Sequence, residues 1–285
     1  AGRSWRADES LLDYLVRHRI PALVEVDTRA VTRHVRELGA MRALIMPGAW
    51  NDERGLEVLR AEPLMEGRDL ATGVSTPEPY EIAPQGAERG TVVCLDYGVK
   101  RKSLELIAES GFRVRVEPAS VSVESILAER PAGVFVSNGP GDPEAIPGAA
   151  EKIRSLIDAG LPVFGICLGC QLLARALGGR TWKLPYGHRG GNHPVRNLDT
   201  GAVEITSQNH GFAIEGDGDG VAGAPGLRVT HRNLNDGTIE GVAHVDFPVF
   251  AVQYHPEAAP GPHDSRYLFD RFVEAISAST DSATG

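Results

Sequence analysis

Cys167 stands at the centre of Gly165-Ile166-Cys167-Leu168-Gly169, between a short apolar run and a stretch of helical periodicity. Glycines two positions before and two after a nucleophile permit the sharp strand-to-helix turn of a nucleophile elbow, here in a cysteine version. A helix starting at that point lowers the thiol pKa through its dipole and its free N–H groups, and the N–H of Leu168 is placed to stabilise an oxyanion. The other reading of such a residue is a buried structural cysteine. A base is available in His255-Pro256-Glu257, which follows the apolar run 249–254. Residues i and i+2 of an extended segment point the same way, so the carboxylate can orient the ring and stabilise its charged form. A third loop, Ser137-Asn138-Gly139-Pro140-Gly141-Asp142-Pro143, sets two glycines between two prolines, a stiff turn whose bare backbone can approach a ligand closely. No Lys-Ser/Thr follows, so it is not a phosphate loop.

Cys170 completes a C-x-x-C string with Cys167. Zinc would need a second ligand pair, and Cys94 is alone on an apolar strand, so no metal site is expected; a redox pair is the weaker alternative. Cys170 is read as a residue of the first helical turn with no chemical role.

These loops need a frame, and the pattern after residue 90 provides one. Apolar runs at 91–96, 112–116, 133–137 and 163–166 alternate with helical patterns at 100–110, 121–129, 147–159 and from Leu168 onward. Near-continuous apolar strands alternating with helices imply an α/β, doubly wound, mostly parallel sheet covered on both faces. In such sheets the ligand site lies beyond the carboxyl ends of the strands, where all three loops fall. Ahead of this region, 9–18 and 28–38 read as helices, the latter with Val31, Val35 and Leu38 at helical spacing and Gly39 as a stop. Residues 22–26 and 41–46 read as strands, giving a partial smaller α/β domain over 1–72 without a chemical motif. The proline-bearing, aperiodic segment 73–90 reads as a linker, and the larger domain is expected over 91–280.

The 285 residues have 42% hydrophobic and 24% charged content and a net charge of −9, which is a soluble, folded composition. The acidity argues against nucleic acid as the main partner, and no apolar run reaches the length of a membrane-spanning helix. Three cysteines do not make a disulfide framework and point to a reducing compartment, hence a cytoplasmic location. The chain opens on Ala1 rather than Met, without a signal-peptide pattern, and is read as a fragment.

Taken together, the three loops resemble the class I glutamine amidotransferases, whose triad runs Cys, His, Glu in chain order. Segments 95–107, 136–143, 162–174, 187–195, 207–214 and 255–270 are similar to one branch in particular, the small glutaminase subunit of carbamoyl-phosphate synthetase. Residues 26–39 resemble the N-terminal domain peculiar to that branch. The resemblance implies that Cys167 attacks the side-chain amide of L-glutamine to give a γ-glutamyl thioester, that His255 moves the proton, and that Glu257 orients His255. It places the oxyanion hole on the N–H groups of Gly139 and Leu168, and glutamine contacts on Gly139, Gly141, Leu168, Gln171, Asn209, Gly211 and Phe212. It also implies a partner: ammonia passes to a large synthetase subunit that uses bicarbonate, ATP and Mg to make carbamoyl phosphate for arginine and pyrimidine synthesis. This chain itself shows no ATP site and is expected to hold no cofactor. The family usually has His at position 170, and its chain carries a further N-terminal stretch, with a glutamine-contacting serine, ahead of the point where this sequence starts. Residues 1–90 are therefore expected to be less stable than 91–280. The competing readings are the glutaminase of another synthetase, a free-standing γ-glutamyl hydrolase and an inactive interaction domain. The last would lack a triad residue, and all three are present.

Overall fold

A computed structural model describes residues 7–46, 51–216, 218 and 220–284, in two compact units, 1–64 and 65–285.

In the first unit, helices α1 (Leu11–Arg17), α2 (Thr28–Leu38) and α3 (Asp52–Ala61) each start at a polar cap. Ser10 accepts from Asp13 N, Asp27 from Ala30 N and Asn51 from Arg54 N, each satisfying one N–H that the first turn leaves free. Gly39, at φ 91°, closes α2 as expected. The two expected strands do not form: 22–26 and 41–46 run without ladder partners. A strand exists only by pairing, and the described residues of this unit offer nothing to pair with. The apolar stripe on α2 is likewise uncovered, with Val31 54% and Leu38 69% exposed. Gly55 is the one buried position among the described residues of the unit.

The second unit is built on a ten-stranded sheet. Its strands are β1 (Tyr80–Ile82), β2 (Thr91–Asp96), β3 (Arg113–Pro118), β4 (Gly133–Val136), β5 (Val163–Ile166), β6 (Thr181–Asn197), β7 (Val203–Ile214), β8 (Leu227–Asn233), β9 (Ile239–His244) and β10 (Val249–Val252), in the order β1-β3-β2-β4-β5-β10-β9-β7-β6-β8. The run β3-β2-β4-β5-β10 is parallel. Helices α4 (Arg101–Glu109), α5 (Val123–Ala128), α6 (Ala149–Asp158) and α7 (Leu168–Ala176) connect these strands, and α8 (Tyr267–Thr284) follows β10. Alternate residues of each central strand face opposite layers. Val93 and Leu95 pack with α5, α6 and α7, while Val92 and Cys94 pack with α4 and α8. Phe164 centres the second layer, its ring 4.6 Å from Phe250 and 5.7 Å from both Phe135 and Phe272.

Two sequence expectations change here. The sheet is parallel only in its central run; β9, β7, β6 and β8 form an antiparallel half, with β8 also pairing back to β9. The segment read as a linker is tied into the larger unit. Tyr80–Ile82 pairs antiparallel with β3, Arg113 and Arg115 reach Glu81, and Thr76 N donates to Asp96 Oδ2 at 2.8 Å. The break between units lies at Leu64/Met65, ahead of the expected position.

Candidate active site

Cys167 sits between β5 and α7 with φ 55° and ψ −104°, a conformation an L-residue holds only when its surroundings force it. The forcing contacts are visible. Cys167 N donates to Val252 O of the neighbouring β10 at 2.8 Å. A Cβ on Gly169 would lie 2.1 Å from Val136 O, and one on Gly165 2.7 Å from Gly169 O, so the turn is closed to any side chain at either glycine. Leu168 opens α7, so its N–H points out of the helix end without an intrahelical acceptor. Gly139 packs against the same residue: a Cβ there would fall 2.0 Å from Tyr97 O and 2.8 Å from Leu168 Cδ2.

His255 follows the end of β10 and is held by its N–H on Ser207 O at 2.9 Å. Its Nδ1 lies 2.7 Å from Glu257 Oε1, which leaves Nε2 for the Cys167 sulfur. Burial alone would lower the imidazole pKa. The Cys167 sulfur and the Glu257 carboxylate outweigh it and bring the value up to about 9. Burial would likewise raise Glu257, which is wholly inaccessible, but His255 and Lys100 hold it below its ordinary value. Sulfur, imidazole and carboxylate thus form a charge-coupled line, the arrangement in which a thiol can pass its proton to a base.

Lys100, which the sequence motifs do not single out, places Nζ 2.9 Å from Glu257 Oε1. A lysine at a helix N-cap with no capping side chain is electrostatically misplaced, and that misfit was the signal available in the sequence. Its loop is clipped to the glycine loop: Lys100 N donates to Asn138 Oδ1 at 3.2 Å, Asn138 Nδ2 to Gly98 O at 2.8 Å, and Tyr97 N to Ser137 Oγ at 2.9 Å.

The remaining sequence candidates lie on α7, on β7 and in the glycine loop. Gln171, on the first turns of α7, donates Nε2 to Phe212 O at 2.9 Å and to Gln253 Oε1 at 3.1 Å, which uses both amide hydrogens and leaves its carbonyl as acceptor. Asn209 O is 4.0 Å from Cys167 Sγ. Gly211 faces Lys183 and Arg189, whose terminal nitrogens come 3.6 and 3.8 Å from the position of a Cβ. Gly141, at φ 98°, lies against Arg68 and Leu70, so that residues 67–70 buttress the glycine loop; Gly67 N also donates to Asp142 Oδ2 at 2.9 Å. A cleft of about 470 Å³ opens beside Phe212, lined among others by Glu66, Asp142, Glu144 and Lys183. Cys170 is fully buried in the core with its thiol pushed well up by that burial, the opposite of a reactive thiol. Among the described residues, His188, His210 and Glu240 bring metal-capable atoms within 4.8 Å of one another, but those atoms are already engaged in hydrogen bonds to protein groups.

The model of the class-I glutamine amidotransferase family matches residues 93–275, and that of the carbamoyl-phosphate synthase small chain, CPSase domain, matches residues 1–45. The chain is 47% identical over 292 residues to the carbamoyl phosphate synthase small chain of Syntrophotalea carbinolica, covering 98% of this chain and 76% of that one. It is 48% identical over 281 residues to that of a Synechococcus strain, covering 95% and 70%. A putative GMP synthase component from Thermoplasma acidophilum shares the fold, with a TM-score of 0.60 at 16% identity, over 70% of this chain and 100% of that one. No helix among the described residues is long and apolar enough to cross a membrane. Identity near one half along almost the whole length, with both family models in the expected order, means that the chain belongs to the carbamoyl phosphate synthase small-chain family.

Proposed function

We propose that this chain hydrolyses L-glutamine to glutamate and ammonia, and delivers the ammonia to a large synthetase chain that makes carbamoyl phosphate from bicarbonate with ATP and Mg. The observation that carries the reading is the line Cys167–His255–Glu257 ending at the outward N–H of Leu168. Cys167 Sγ attacks the γ-carbonyl carbon as His255 Nε2 takes the thiol proton. The N–H groups of Leu168 and Gly139 receive the oxyanion, and the tetrahedral intermediate collapses as His255 protonates the departing ammonia, leaving a γ-glutamyl thioester. Water then attacks the thioester with His255 again accepting a proton, and that proton returns to the sulfur as glutamate leaves. The loops around Gly139, Gly141, Asn209, Gly211 and Phe212, with Gln171, hold the amino-acid end with neutral donors and acceptors. Residues 1–45, matched by the small-chain model, favour carbamoyl phosphate synthesis over the other amidotransferase pathways.

Ammonia release from glutamine by the intact protein, followed for the parent and for Cys167→Ser, tests the proposal. The volume change is small, so the variant should fold and lose at least about 10³-fold in activity. A glutamine-like chloroketone should label Cys167 and spare Cys170, and Cys170→Ala should keep its activity. Parental hydrolysis by Cys167→Ser would overturn the mechanism.

A further inference from the structure

Beneath β7 runs a buried polar chain for which the chemistry above has no use. His188, on β6, lies between two carboxylates: Nε2 is 2.8 Å from Asp236 Oδ2 and Nδ1 is 3.1 Å from Glu240 Oε1. Carboxylate oxygens only accept, so both ring nitrogens carry hydrogen and the ring is an imidazolium. Glu240, on β9, has no solvent exposure and accepts besides from Asn233 Nδ2 at 2.8 Å and from Gln208 Nε2 at 3.0 Å. The second hydrogen of the Gln208 amide goes to Thr206 Oγ1 at 3.1 Å, which fixes the amide's orientation and turns Oε1 toward His210 Nε2, 3.0 Å away. His210 Nδ1 lies 2.7 Å from Phe212 O, the oxygen that also accepts from Gln171. Burial pushes His210 down to about 4, so the neutral ring has one hydrogen to divide by tautomer between two acceptors. One of those acceptors is oriented by Glu240.

The ladder makes such side-chain bracing necessary. Pairing of β6 with β7 skips between Lys183/Phe212 and His188/His210, so the backbone opposite Gly211 is bulged where the pocket needs a fixed shape. An ion pair buried away from any reaction costs desolvation, and holding a specific geometry is its best-attested use.

We propose that Glu240 and His188 are positioning residues for glutamine binding: their buried ion pair holds Gln208 and His210, and through them the Phe212 carbonyl and the Gln171 side chain. This rests on the glutaminase reading above, and the unsubstituted protein's activity tests that reading separately. In the intact protein, Glu240→Gln is expected to raise KM for glutamine about tenfold while kcat stays within about threefold, because the triad is untouched. Asp236→Asn, at the solvent-exposed end of this hydrogen-bonded series, should move KM the same way by about threefold. Alkylation of Cys167 separates positioning from general loosening: a glutamine-like chloroketone should react more slowly in Glu240→Gln, and iodoacetamide at the parental rate. If the parent hydrolyses glutamine and KM rises in neither variant, or if both reagents slow equally, the inference is overturned. If the parent does not hydrolyse glutamine, it is the functional reading that fails.

Discussion

A thiol attacks an amide only if something takes its proton, and in the proposed mechanism the residues around Cys167 divide that work unequally. There His255 would move the proton and Glu257 would orient and charge the ring, while Lys100 holds Glu257 by a single contact at 2.9 Å from a side chain 34% exposed. Losses should follow that order. His255→Asn should cost roughly 10³-fold or more in kcat, Glu257→Gln roughly 10²-fold, and Lys100→Met only about three- to tenfold, because His255 still engages Glu257 Oε1. Steady-state kinetics on the three variants checks the ranking; a Lys100→Met loss equal to that of His255→Asn would make the lysine a direct participant. Cysteine, histidine and glutamate were legible in the sequence because each stands in a local pattern that points to chemistry. Lys100 was less so: its place at a helix N-cap is a local misfit, but its partner lies more than 150 residues away and no local pattern names it.

At the level of elements, the site depends on strand ends being held in register. Glu204 of β7 does part of this. It accepts from the hydroxyls of Tyr254, Ser265 and Tyr267, so one buried carboxylate ties β7 to the residue preceding His255 and to the start of α8. Burial pushes its pKa up, but His231, Ser265 and Tyr267 outweigh it and draw it down from 4.5 to about 2. A depressed folded-state pKa contributes stability that is fully present above the unfolded value and is lost as pH falls through the folded one, here between about 4.5 and about 2. That contribution is at most about 3 kcal/mol. Thermal unfolding of the parent should weaken across this window, and Glu204→Gln should start less stable and lose less; equal losses would assign the acid sensitivity elsewhere. The parallel strands were readable as continuous apolar runs, whereas β6 and β7 were not. Their ladder slips between Lys183 and His188 and again between Gly190 and His193, which breaks the two-residue alternation by which a strand is recognised.

Across the whole molecule the two units differ in what holds them. The larger has a two-layer core around the sheet, while the smaller leaves Leu11, Val16, Leu23, Val24 and Leu38 more than half exposed. Amide protection in native-state hydrogen exchange should therefore be high across 91–276 and low across 7–46, with Tyr80–Ile82 following the larger unit to which it is paired; equal protection in both units would refute this. That edge strand also shows where sequence stops. Residue type and short-range spacing were sufficient to determine the elbow at Cys167, the His255–Glu257 pair, the stiff glycine loop and the alternation of central strands and helices, because each follows from steric or hydrogen-bonding rules acting within a few residues. Tertiary structure alone decided that Tyr80–Ile82, within 73–90, joins the sheet, that 22–26 and 41–46 remain unpaired, that Lys100 meets Glu257, and that His188 meets Glu240. Each of those outcomes depends on a partner far away in the chain, and whether a strand edge or a buried charge is satisfied is settled only when that partner arrives.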